Sequence, residues 1–70
     1  MHVVVLTPGK EIFSGEIKSV KVPGTSGQFE ILSGHAPIVS SLQEGRVTIK
    51  TMDGASKVFG IDKGFVEVLN

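Results

Sequence analysis

The amino-acid sequence predicts an all-β domain, a flattened antiparallel sandwich or barrel built from about seven to nine short strands. Nine glycines spread through 70 residues cut the chain into pieces too short for helices of ordinary length. Between those breaks valine and isoleucine recur at strand spacing, where branched side chains pack well on a pleated surface.

Each element follows from its own residues. Residues 2–6 are valine-rich and run into Thr7-Pro8-Gly9, a strong turn signal, so the first strand ends at about Thr7. Residues 11–13 form a short extended piece broken at Ser14-Gly15, and a longer strand covers residues 16–22. Within it Ile17 has one parity and Val20 and Val22 the other, so the apolar side changes between Lys18 and Ser19 and a β-bulge is expected there. Pro23-Gly24-Thr25-Ser26-Gly27 is a turn, and residues 28–32 return from it. Residues 38–42 make a further strand. Val47, Ile49 and Thr51 alternate with Arg46, Thr48 and Lys50, which gives residues 46–51 one wet side. Asp53-Gly54 predicts a type I′ hairpin, with positive φ at both central positions and residues 56–61 pairing back. After Asp62-Lys63-Gly64, residues 65–69 form the last strand.

Seven basic residues balance seven acidic ones. A neutral, unclustered surface has no long-range field to concentrate nucleic acid or anionic lipid, which favours a protein partner. Cysteine is absent, which excludes thiolate metal sites and thiol catalysis and favours a reducing compartment. No apolar run approaches membrane-spanning or signal-peptide length, so the chain is expected to be soluble by itself.

Candidate chemistry is thin. His35 lies in a Gly34-His35-Ala36-Pro37 corner with no nucleophile elbow around any serine, and reads as a turn or interface residue, not a general base. His2 is expected to be solvated at a mobile end. Gly24-Thr25-Ser26-Gly27 matches the G-x-x-G clamp of KH domains only in composition, because that clamp joins helices. Gly9-Lys10 lacks the rest of a phosphate loop. The seven carboxylates are scattered and read as solvated, and Phe13, Phe29, Phe59 and Phe65 read as core. No cofactor or metal is expected, and no catalysis.

The order of Phe13-Ser14-Gly15, Val20-Lys21-Val22-Pro23-Gly24, Gly34-His35-Ala36-Pro37, Glu44-Gly45 and Gly64-Phe65-Val66-Glu67-Val68 is specific. Taken together, these segments resemble the epsilon subunit of F-type ATP synthases along essentially all 70 residues, as a single N-terminal β-sandwich domain spanning 1–70. The resemblance implies a non-catalytic rotor part of the central stalk that joins the gamma subunit to the ring of membrane c subunits during proton-driven ATP synthesis. It implies a peripheral position on the cytoplasmic side of a bacterial plasma membrane, held there only through the complex.

Carried over by position, Ser26, Gly27, Gln28, Phe29 and Glu30 correspond to the loop that meets the c ring, with Phe29 the leading anchor. The family often has an acidic residue where Gln28 stands, and glycine and proline where Glu30 and Ser33 stand. Thr7, His35, Ser40 and Asp62 correspond to the side turned toward gamma. Family members usually continue with a strand and an inhibitory helical hairpin. Nothing after Asn70 supplies either, so hairpin inhibition is not expected and a sheet edge is expected to lie open. The competing class is a small nucleic-acid-binding barrel, which requires Lys10, Lys18, Lys21, Arg46 and Lys50 to converge on one face.

Overall fold

The computed structural model describes residues 1–34 and 36–69. The chain forms seven strands: β1 His2–Thr7, β2 Lys10–Gly24, β3 Gly27–Leu32, β4 Ile38–Leu42, β5 Gly45–Thr51, β6 Ser56–Ile61 and β7 Gly64–Leu69. All pairings are antiparallel, in the order β1-β7-β4-β2-β5-β6, with β3 on β2 and β1 also on β2. The all-β architecture is the one expected.

β2 makes a sandwich out of one continuous sheet. Fifteen extended residues would span about 50 Å if straight, yet the longest dimension of the molecule is 27 Å. The strand therefore bends. Its first half pairs with β1, from Lys10↔Thr7 to Glu16↔His2, and its second half pairs with β3 and β5. The register on β5 jumps from Ile17↔Thr51 to Ser19↔Lys50, so Lys18 is the extra residue of the expected bulge. One layer is thus the first half of β2 with β1, β7 and β4; the other is β3, the second half of β2, β5 and β6.

The core between the layers is aliphatic. Val3, Val5, Val66 and Val68 face Val20, Val22, Ile31, Val47 and Ile49 across it, all fully buried, with Ile17, Leu42 and Ile61 at its ends. No polar or charged side chain among the described residues is buried; six of the seven acidic residues are exposed as expected, and Glu67 is half-buried.

Four expectations need correction. Ser14-Gly15 does not break β2, because the Phe13 ring lies 3.6 Å from where a Gly15 Cβ would stand and covers the bare backbone. The Asp53-Gly54 turn is not type I′: only Gly54 has positive φ, and Gly54 N–H donates to the Thr51 carbonyl at 3.0 Å while Thr51 N–H donates to the Ala55 carbonyl at 2.8 Å. That pattern is a three-residue loop with a type I turn and glycine bulge. His2 is not simply solvated; it sits in β1 with Nε2 3.2 Å from Ser14 Oγ and Nδ1 3.6 Å from Glu16 Oε1. Finally, Phe65 is 51% exposed and lies on an outer face, whereas Phe13, Phe29 and Phe59 pack against the core.

Asp53 clamps its loop, accepting hydrogen bonds from Thr51 Oγ1 and from Ala55 N–H at 3.2 Å. The Thr51 hydroxyl first, and then the Ala55 amide, hold its carboxyl below the usual carboxylate range. A depressed folded pKa gives stability that is present above the unfolded value and is lost as pH falls through the folded one. Thermal melts of the wild type are therefore expected to fall in acid, and Asp53→Asn to remove this carboxylate's share of that fall.

The open edges lie away from β7, which is flanked by β1 and β4. Among the described residues β6 pairs only with β5, and its exposed Lys57, in register with buried Ile49, reaches back to 5.9 Å from the Phe13 ring. Such a charge on the inner side of an edge strand discourages strand addition.

Candidate interaction surface

The two outer faces differ. On the β3-β2-β5-β6 layer the outward residues are mostly polar, with Leu32 and Val58 exposed among them: Glu30 stands opposite Lys21, which stands opposite Thr48, and Arg46 and Lys50 lie along the same side of β5. Lys21, Arg46 and Lys50 therefore share a face, three of the five residues the nucleic-acid reading requires; Lys18 is the bulge residue. Lys10 does not join them; it lines a cleft with Thr7 and Asp62. Glu30 also offsets part of the positive charge.

The other layer is apolar outside. Because strand residues alternate faces, the buried Val66 and Val68 of β7 turn Phe65, Glu67 and Leu69 outward. On β4, Val39 is 69% exposed, and on β1 Val4 and Leu6 are half-buried. The register aligns these residues in rows: Ser14, Val4, Glu67 and Val39 in one, and Leu6, Phe65 and Ser41 in the next. Contiguous apolar residues ringed by polar ones mark a binding surface more than scattered ones do. Sequence reading passed over this strip, although the parity Phe65 and Leu69 share with charged Glu67 is the signal that turns them outward.

Of the residues assigned toward gamma, Thr7 and Asp62 come together at one cleft of about 470 Å³ between the β1–β2 turn and β6, with Ile12 and Phe59 on its wall. Ser40 lies elsewhere, half-buried on β4 between exposed Val39 and Ser41. His35 falls outside the described residues.

The residues assigned to the c ring form the tip of the β2–β3 hairpin. Ser26, Gly27, Gln28 and Glu30 are exposed there. Phe29 is half-buried instead: it pairs with Val22, packs on the core, and its ring comes within 2.6 Å of where a Gly24 Cβ would lie. Its position stiffens the hairpin, which is also tied to β4 by Thr25 N–H donating to the Ser41 carbonyl at 3.3 Å and Gln43 N–H to the Pro23 carbonyl at 2.8 Å.

Among the described residues no cluster of three or more histidine, aspartate or glutamate side chains converges on a metal-sized site, and no helix is long and apolar enough to cross a membrane. The module is thus a sandwich with Val39, Phe65 and Leu69 exposed on one outer face and a polar hairpin tip.

Comparison with known proteins gives the module a family. The family described as ATP synthase, Delta/Epsilon chain, beta-sandwich domain matches residues 1–70, and this chain belongs to it. The ATP synthase epsilon chain of Caulobacter vibrioides is 46% identical over 69 residues, covering 97% of this chain and 78% of that protein. The ATP synthase epsilon chain of Chlorobaculum tepidum is 45% identical over 64 residues, 91% of this chain and 73% of its own length. For that of Protochlamydia amoebophila the figures are 44% over 64 residues, with 91% and 44% covered.

Proposed function

We propose that this domain is a non-catalytic rotor subunit of an ATP synthase, docked to gamma by its apolar outer face and to the c ring by the β2–β3 hairpin tip. The carrying observation is the exposed strip of Val39, Phe65 and Leu69 on a chain of the ATP synthase delta/epsilon family. A part that transmits torque needs a contact that survives every turn. A standard interface buries about 800 Å² on each partner, roughly a fifth of the 4137 Å² this domain exposes. That area is of the order of one whole outer face, and the β2-β1-β7-β4 layer is the face suited to give it. Thr7 and Asp62 lie at the end of that layer and would form part of the polar rim, while Ser40, opposite buried Val66, sits on the inner side of its edge strand.

In the same reading Ser26, Gly27, Gln28 and Glu30 meet polar loops of the c ring, while Phe29 keeps the hairpin in shape. The domain reaches the membrane only through the complex and takes no cofactor.

The test is co-purification of this chain with the gamma subunit of the same synthase. A stoichiometric complex that persists through gel filtration at micromolar concentration is expected. Absence of binding, together with normal synthase assembly when this chain is deleted, would end the reading. Binding to nucleic acid that falls steeply with salt and depends on Lys21, Arg46 and Lys50 would replace it.

A further inference from the structure

We propose that Glu67 sets the specificity of the apolar outer face, which fits a protein partner presenting one lysine or arginine amid apolar side chains. The inference rests on the reading of that face as a docking surface. Glu67 is the middle outward residue of β7, between Phe65 and Leu69 on its own strand. It stands directly opposite Val4 of β1 and Val39 of β4. Its strand is paired on both sides, so the carboxylate is held at the centre of the strip and not at its rim.

Glu67 is half-buried as a residue, and among the described residues no cation lies within ion-pair distance of its carboxylate. His2, the nearest titratable neighbour along β1, is instead turned to Ser14 and Glu16 of β2. Any partner that covers Val4, Val39, Phe65 and Leu69 also covers Glu67. An unpaired carboxylate sealed between two surfaces is strongly unfavourable, so a compatible partner must bring the opposite charge.

That requirement rejects other occupants. A second copy of this chain, docked by the same face about a twofold axis, would bring two Glu67 carboxylates toward each other at the centre of the interface. An anionic lipid surface would be repelled. The like-charge cost works as selection against wrong partners, while the surrounding apolar area supplies attraction to the right one. Replacing Glu67 with an apolar residue would leave Phe65, residue 67 and Leu69 as an unbroken greasy row, so the carboxylate also keeps the free face from self-association.

The experiment is a calorimetric titration of the gamma subunit into wild-type chain, Glu67→Gln, Glu67→Lys and, as a control on the opposite face, Lys50→Gln, with the fold of each checked by thermal melting. Loss of one member of a covered charge pair is expected to weaken binding at least about tenfold for Glu67→Gln. A further loss is expected for Glu67→Lys, and none for Lys50→Gln. Glu67→Lys chain is also expected to remain monomeric, whereas Glu67→Leu associates with itself. Wild-type binding matched by Glu67→Gln would overturn this inference alone. Failure of wild-type chain to bind gamma would overturn it together with the docking reading.

Discussion

Gly64→Ala is expected to lower the melting temperature by roughly 15 °C, from a loss on the order of 3 kcal/mol in a domain of this size. A Cβ at position 64 would stand 2.1 Å from the Leu6 carbonyl oxygen and 3.2 Å from its carbon. Both atoms are backbone, so no side chain can rotate away. The clash opens the junction where β1 ends and β7 begins, beside Leu42 of β4, which pairs with Gly64. Gly60 provides the contrast. A Cβ there meets nothing within 4 Å and its φ lies outside the left-handed region, so Gly60→Ala is expected to leave the melting temperature nearly unchanged.

Ile49→Ala is expected to cost about 2–5 kcal/mol, against about 0.5–1.5 kcal/mol for Ile49→Val. Ile49 is fully buried on β5, paired with Val20 on one side and Lys57 on the other. Truncation leaves a void among Val20, Val47 and their neighbours that strands pinned on both sides cannot close. A domain of this length is stable by only about 4–10 kcal/mol, so the alanine variant loses a large share of the total. Urea titration with an unchanged m-value and a lowered midpoint is the expected result.

The limits of sequence reading follow from the same physics. The bulge at Lys18 is legible because a change of side along one strand leaves a parity fault that only an extra residue can repair. Alternation alone puts Val47, Ile49 and Thr51 on one face of β5, where Val47 and Ile49 are fully buried. In contrast, continuity of β2 through Gly15 depends on the Phe13 ring folding back over it, a contact between residues on one strand that composition does not reveal. The Asp53-Gly54 turn depends on which backbone carbonyl Gly54 reaches, and the Asp53 side chain helps to decide it. Phe29 packs on the core, as read from the sequence, because a bare Gly24 gives its ring a seat on the fold itself.

The apolar outer face was missed because aromatic and aliphatic residues on a strand are read as inward by default. On β7 both parities are apolar, and only Glu67 marks the outward one. On β4 the outward Ser41 gives no such mark, because Ser40 on the inward parity is polar too. Neither residue shows by itself that β1, β7 and β4 would lie side by side and merge their outward rows into one surface.

The proposed docking of gamma on that surface is tested most directly by placing a photo-activated cross-linking side chain at Val39 or, on the opposite face, at Lys50, in otherwise intact chain mixed with gamma. Cross-linking to gamma from position 39 and none from position 50 is the result expected. Cross-linking from position 50 alone would contradict the assignment of the docking face.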